Sequence, residues 1–153
     1  LSENFSLGEL LKSQTAERKG IDNKPSDPSI IVNLQVLCEK VLQPVRDEFN
    51  SPVVINSGYR CPKLNKAVGS SSKSQHTKGQ AADIEVPTFS NKDVAIWISE
   101  NLSYDQLILE FYNGVDPRSG WVHVSYDYEE NEKKVMTAMK ENGRTVYKVG
   151  LIA

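Results

Sequence analysis

The sequence has few histidines and cysteines, and this shortage narrows the chemistry open to it. Its 153 residues include two histidines and two cysteines. The cysteines, Cys38 and Cys61, lack the CxxC spacing of a metal knuckle. We expect both to be buried thiols, the usual state of a free cysteine, while a disulfide between them stays an open alternative.

Long apolar stretches are also missing. No run approaches the ~20 residues of a membrane-spanning helix, so we expect no membrane partner. The first residues lack the basic and apolar regions of a secretory signal. Because the chain begins at Leu1 and not at Met, a leader removed from it stays an open alternative.

Excess charge of either sign is absent. Lys and Arg number 18 against 20 Asp and Glu, which gives a formal net charge of −2. Without a basic surface, nucleic acid is not expected as the main partner. The hydrophobic (39%) and charged (25%) fractions are ordinary for a globular protein. We expect one domain over residues 1–153 and, by default, a monomer.

Hydrophobic periodicity predicts an α+β fold, with N-terminal helices packed on a small, mainly antiparallel sheet that carries the functional site. Apolar residues at helical spacing predict three helices, at 5–13, 29–49 and 91–101. Ser6 and Glu9 form a capping box for the first, and Ser90 caps the last. Pro44 predicts a kink or a second piece in the long helix.

Runs of residues that are continuously apolar, or that alternate between apolar and polar, predict the strands. Runs of this kind occur at 53–57, 81–86, 106–112 and 121–126. Residues 129–141 are predicted to be helical or irregular, and Asn142-Gly143 to be a turn. Residues 144–152 are then expected to close the sheet as an edge strand.

The most informative segment runs from Ser74 to Asp83 (SQHTKGQAAD). It places His76 on a predicted loop, seven residues before Asp83 at the start of a strand, with Gly79 permitting an unusual backbone angle between them. The second histidine, His123, lies in the strand pattern WVHVSY. Two imidazoles and one carboxylate are a common ligand set for one catalytic zinc ion. On geometry alone, ordinary core or surface histidines stay an alternative.

The two late strands suggest a general base. The loop from Asn113 to Gly120 contains turn dipeptides and should join two hairpin arms. If Tyr112 pairs with Trp121, Glu110 faces His123 across the hairpin, with Cβ atoms ~5 Å apart. A general base acting on metal-activated water is expected at such a position. Without a metal, an ordinary cross-strand carboxylate is the simpler interpretation.

Arg60 is a second catalytic and substrate-binding candidate. It follows the predicted strand at 53–57 in the sequence SGYR, near the expected cleft. A guanidinium there can bind a substrate carboxylate or stabilise a polarised carbonyl. A structural ion pair is the alternative.

The run from Ser74 to Asp83 resembles the SxHxxGxAxD signature of zinc D-Ala-D-Ala carboxypeptidases and related phage endolysins, which belong to the lysostaphin, D-Ala-D-Ala peptidase and Sonic hedgehog superfamily. The SGYR and WVHVS segments are similar to two further blocks of that family. The resemblance covers about residues 5–126. It implies His76, Asp83 and His123 as zinc ligands and Arg60 as a substrate or transition-state contact.

The resemblance leaves the acid/base residue less defined. Some members place a carboxylate three residues before the last histidine, where this chain has Gly120. Others place a glutamate on the preceding strand, which agrees with Glu110, and Asp116 in the loop is the fallback. The resemblance also implies that Ser74 and Gln75 shape the ligand loop and the substrate groove. Trp121 stands where some relatives carry a second histidine.

The function implied is that of a zinc metallopeptidase that hydrolyses peptidoglycan stem peptides. It would act as a D-Ala-D-Ala carboxypeptidase or an L-Ala-D-Glu endopeptidase. It would work at the bacterial cell wall, and a phage-type endolysin would be made in the host cytoplasm. The alternatives are a non-catalytic zinc-binding module and a structural component of a virion.

Overall fold

The computed structural model describes residues 1–152, which form helices packed against one face of a mixed sheet. The helices are α1 (Leu7–Leu11), α2 (Gln14–Lys19), α3 (Pro28–Leu37), α4 (Gln43–Phe49), α5 (Pro62–Ala67) and α6 (Asn91–Asn101). The strands are β1 (Val54–Ser57), β2 (Ala81–Glu85), β3 (Gln106–Glu110), β4 (Trp121–Ser125), β5 (Lys134–Glu141) and β6 (Arg144–Val149). The predicted α+β class is confirmed. No helix in residues 1–152 has the length and apolar character to cross a membrane.

The N-terminal helices follow the sequence signals closely. The Ser6–Glu9 capping box is present at the start of α1. The long predicted helix is divided, as Pro44 suggested: a π-helical turn, Cys38–Leu42, separates α3 from α4. Its apolar stripe is fully buried and forms the centre of the core, at Leu34, Leu37, Val41, Leu42 and Val45. Burial of this stripe against the sheet holds the helices in place.

The sheet has the strand order β1-β2-β4-β3-β5-β6. Its neighbouring pairs are antiparallel except β3 and β5, which are parallel. Because side chains alternate along a strand, each strand has one core face and one outer face. Ile84, Val122 and Leu109 are fully buried on the core face. Asp83 and His123 lie on the other face, where the functional site forms.

The C-terminal region contains the main error in the predicted elements. Residues 129–141 were expected to be helical or irregular, but Lys134–Glu141 form β5 beside β3. The Asn142-Gly143 turn is confirmed, and both residues have the positive φ of a two-residue hairpin turn, 52° and 78°. The edge strand is also confirmed, as β6.

Candidate functional site

His76 is held by a short 3-10 turn, Gln75–Lys78. The Ser74 hydroxyl caps the turn by accepting a hydrogen bond from the His76 backbone N–H, and Gly79 ends it at φ 72°, as the sequence suggested. The imidazole is buried, and its Nδ1 lies 2.7 Å from the carbonyl oxygen of Gly58. Because a carbonyl only accepts, Nδ1 carries the proton and Nε2 keeps a free lone pair.

Asp83 and His123 face each other on β2 and β4, where they form a directly opposed pair. Asp83 Oδ1 lies 2.9 Å from His123 Nδ1, and its Oδ2 lies 3.4 Å from His76 Nε2. The two imidazole rings meet edge to face with their centroids 5.1 Å apart. The structure therefore brings together all three predicted ligands, with one donor atom from each within 4.8 Å of the others.

Burial and mutual contact perturb the ionisation of these three groups. Burial lowers the pKa of His76, which favours the neutral imidazole. Burial alone would raise the pKa of Asp83, but hydrogen bonds from His123 and His76 outweigh it and lower that pKa. Burial also acts to lower the pKa of His123, but the bond to Asp83 raises it overall. A neutral imidazole and an ionised carboxylate are the forms that bind metal ions.

The three side chains fit a zinc ion by their chemistry and spacing. Two nitrogens and one carboxylate oxygen supply three ligands and leave a fourth position for water or substrate. Ligands at tetrahedral corners around zinc lie about 3.3 Å apart, close to the 3.4 Å between His76 Nε2 and Asp83 Oδ2. The contact between His76 Nδ1 and a backbone carbonyl is the usual outer support of a metal-binding histidine.

Glu110 lies on the same face of the sheet as His123, but the predicted pairing is wrong by two residues. Glu110 pairs with Trp121, and His123 pairs with Ile108. A two-residue shift preserves the face, so Glu110 becomes a diagonal neighbour of His123. The shift arises at Phe111, which has φ 58° and leaves the β3–β4 ladder at that point. Its N–H donates instead to Ala138 of β5, at 2.9 Å.

The environment of Glu110 favours its protonated form more than water would. Burial raises the pKa of Glu110, and the Asp83 charge raises it further. A carboxyl group with a raised pKa is suited to exchanging protons near neutral pH. A cation bound beside Glu110 would act in the opposite direction and lower its pKa.

Arg60 reaches the cleft from the segment after β1. Its backbone N–H donates to the His76 carbonyl oxygen at 3.0 Å, which ties the two functional segments together. Its side-chain Nε is buried without a protein hydrogen-bond partner. Burial lowers the pKa of Arg60, while Asp83 and Glu110 oppose that shift. Arg60 lines the cleft together with Asp83 and Glu110.

The other predicted residues divide into two groups. Ser74 and Gln75 both line the cleft, and Gln75 Nε2 donates to Asp105 Oδ2 at 2.9 Å. Asp116, the fallback acid, is exposed on the β3–β4 loop, where its carboxylate accepts from the Arg118 N–H at 2.9 Å. It does not line the cleft that contains His76.

Sequence reasoning missed a residue that braces the Arg60 segment. The Asn23 side chain donates to the carbonyl oxygens of Leu11 and Tyr59, at 2.8 and 2.9 Å. It also accepts from the Cys61 N–H at 2.7 Å. Asn23 thus fixes the backbone on both sides of Arg60. Its position in a turn-rich loop gave no signal of this role.

The cleft around His76, Asp83 and His123 has a volume of about 830 Å³. Trp121 and Phe111 line it near Glu110, and the loop before His76 contributes Ser70, Ser71, Lys73, Ser74 and Gln75. The β5–β6 hairpin also contributes to its lining, which the sequence analysis did not anticipate. Its volume is near the upper end of the range for ligand pockets.

The comparison with known families agrees with this arrangement. The chain matches the family model described as Peptidase M15 over residues 3–125, and it belongs to that family. The resemblance noted in the sequence is confirmed. No curated protein sequence matches the chain. The class is therefore that of a peptidase, and its His76–Asp83–His123 cluster has the composition of a metal site.

Proposed function

We propose that this protein is a zinc-dependent peptidase that hydrolyses peptidoglycan stem peptides. The observation that carries the proposal is the convergence of His76, Asp83 and His123 in one cleft of a peptidase-family chain, with Arg60 and Glu110 beside them. The proposal includes one catalytic domain over residues 1–153, one zinc ion, and action as a monomer at the bacterial cell wall in the manner of a phage endolysin.

The chemistry follows from the groups around the cleft. Zinc, when bound, supplies a Lewis acid that polarises the peptide carbonyl and makes water a better nucleophile at neutral pH. Glu110 takes the proton from the attacking water and passes it to the leaving amine. The Arg60 guanidinium donates to the carbonyl oxygen as negative charge develops there. His76, Asp83 and His123 hold the metal in a fixed position.

The substrate class is supported by the resemblance of the Ser74–Asp83 segment to cell-wall members of the family. Two cleavage sites follow from that resemblance, the D-Ala-D-Ala bond and the L-Ala-D-Glu bond. Mass spectrometry of purified peptidoglycan digested by the protein identifies the bond. The new amino terminus should belong to D-Ala in the first case and to D-Glu in the second.

The role of Glu110 is tested by the substitution Glu110→Gln, which keeps the size of the side chain and removes its basicity. We expect amine release from peptidoglycan to fall by about 10²- to 10⁴-fold, the usual contribution of a general base, with zinc content unchanged. Glu130→Gln, at an exposed position outside the cleft, is the matched control and should behave as the wild type.

Two outcomes would contradict the proposal in different ways. If Glu110→Gln keeps full activity and bound zinc, Glu110 is not the base. If the wild type with zinc bound releases no amine from peptidoglycan, the proposed substrate is wrong. Removal of zinc by a chelator should abolish activity, and added zinc should restore it.

A further inference from the structure

The β5–β6 hairpin lies beyond the part of the chain that matches the family model. The match ends at residue 125, whereas the hairpin spans residues 134–149. Even so, three hairpin side chains line the same cleft as the metal cluster, and they are Met136, Thr145 and Tyr147. The family match therefore does not account for this side of the cleft.

The hairpin is joined to the sheet by continuous pairing. Five residues of β5 pair in parallel with β3, and six pairs join β5 to β6. Beyond the strands, the Gly150 N–H donates to Val135 at 2.9 Å, and the Ile152 N–H donates to the Thr137 hydroxyl at 3.1 Å. Thr137 is fully buried. The position of the β5–β6 hairpin relative to Glu110 is therefore set by strand pairing in the sheet.

Glu110, Ala138 and Tyr147 form one row across the outer face of the sheet. Glu110 pairs with Ala138, and Ala138 pairs with Tyr147. Ala138 is buried at the middle of the row, whereas Tyr147 at its end is 56% exposed and lines the cleft together with Glu110. Burial raises the pKa of Tyr147, and the negative charge of Glu110 adds to that rise.

The position of this row relative to the scissile bond rests on the proposed function of Glu110. A group that protonates the leaving amine must lie within hydrogen-bond reach of it. The departing part of the substrate therefore lies on the Glu110 side of the cleft. We propose that Tyr147, supported by Met136 and Thr145, forms a subsite that binds the leaving-group segment of the peptide and so determines which bond is cut.

The length of the row fixes the size of that segment. Two strand spacings separate Glu110 from Tyr147, about 10 Å. An extended peptide covers this distance with about three residues. Cleavage at D-Ala-D-Ala releases a single residue, which does not reach Tyr147, whereas cleavage at L-Ala-D-Glu releases the remaining stem. The subsite therefore selects the endopeptidase reaction.

The test uses stem peptides that are cut at one bond and carry one, two or three residues on the leaving side. With the wild type, kcat/KM should rise when the third residue is added. Tyr147→Ala should lower kcat/KM about fivefold for the longest peptide, the effect of losing one aromatic contact, and less than twofold for the shortest. Tyr147→Phe, which keeps the ring, should retain most of the wild-type value.

Tyr128→Ala is the matched control, because Tyr128 is a similarly exposed tyrosine outside the cleft. The proposal is overturned if Tyr147→Ala matches Tyr128→Ala on the longest peptide. It is also overturned if Tyr147→Ala lowers kcat/KM equally for all lengths, since that pattern indicates a general structural role.

Calorimetric binding of the longest peptide separates this inference from the proposed function. If the wild type binds the peptide but does not cut it, the proposed reaction fails, and the affinity of Tyr147→Ala still tests the subsite. Equal affinities for the wild type and Tyr147→Ala would refute the subsite, as would the absence of any binding by the wild type.

Discussion

The carbonyl group of Gly58 offers a sharp test of how the proposed metal site is supported. This carbonyl accepts the 2.7 Å hydrogen bond from His76 Nδ1, so it sets the orientation of the imidazole. Gly58 also passes very close to α1: a Cβ atom added there would lie 2.4 Å from the Leu10 carbonyl oxygen. The Leu10 oxygen cannot easily retreat, because it accepts from the Tyr59 N–H at 2.8 Å.

The substitution Gly58→Ala must therefore move the backbone that supports His76. The added atom falls about 1 Å short of ordinary van der Waals contact, which begins at 3.4 Å. A movement of that size away from the imidazole would lengthen the 2.7 Å bond to about 3.7 Å, beyond hydrogen-bonding range. Loss of such outer support costs 10- to 100-fold in metal affinity, or about 1.4 to 2.8 kcal/mol.

Zinc affinity, measured by competition with a chromogenic chelator, should thus fall by at least tenfold in Gly58→Ala. Urea unfolding of the metal-free protein should show a loss of about 1 to 3 kcal/mol from overpacking. Gly8→Ala is the matched control. Its nearest neighbouring atom would be 3.9 Å away, and alanine favours its helix by about 0.5 to 1 kcal/mol. Wild-type zinc affinity in a destabilised Gly58→Ala protein would refute the orienting role.

Two further predictions concern stability and thiol chemistry. Asn91→Ala removes the buried amide that donates to Ser119 and Gly120, so urea unfolding should show a loss of about 1 to 3 kcal/mol. Asn101→Ala, at an exposed position of the same helix, should change little, and equal losses would contradict the argument. Burial raises the pKa of Cys38 to about 12, so iodoacetamide at pH 8.5 should label it only after unfolding. The unfolded thiol loses its proton near pH 9 and the folded thiol near pH 12, so ionisation favours the unfolded state between those values. The free energy of unfolding should therefore fall as the pH rises from 9 to 12. Labelling at the unfolded rate in the native protein would disprove the burial.

The His76–Asp83–His123 cluster could be predicted from sequence because its signals are local. His76 and Asp83 lie seven residues apart, with a glycine between them that the turn requires at positive φ. His123 lies in an alternating strand pattern, and alternation fixes its face of the sheet. The same alternation explains why Glu110 was assigned to the correct face although its pairing partner was wrong: a shift of two residues leaves a side chain on the same face.

The parts that were missed depend on contacts between distant segments. The pairing error comes from Phe111, since a bulky residue at positive φ is rarely expected. Its N–H finds an acceptor in β5, a strand that is more than twenty residues away. β5 itself was missed because its central segment combines methionine, alanine and lysine, which also suit a helix. Its strand conformation is set by pairing with β3, which local sequence does not reveal.

The parallel pairing of β5 with β3 also has a consequence for solubility. Strand β3 is almost wholly apolar at its centre, where Leu107, Ile108 and Leu109 are buried. Without the hairpin its backbone edge would be open to pairing with another molecule, a common start of aggregation. The hairpin replaces that edge with β6, which carries Arg144 and Lys148. Truncation after β4 would therefore expose an unpaired apolar strand edge that favours aggregation. Point variants are for this reason better suited than deletions to studies of this region.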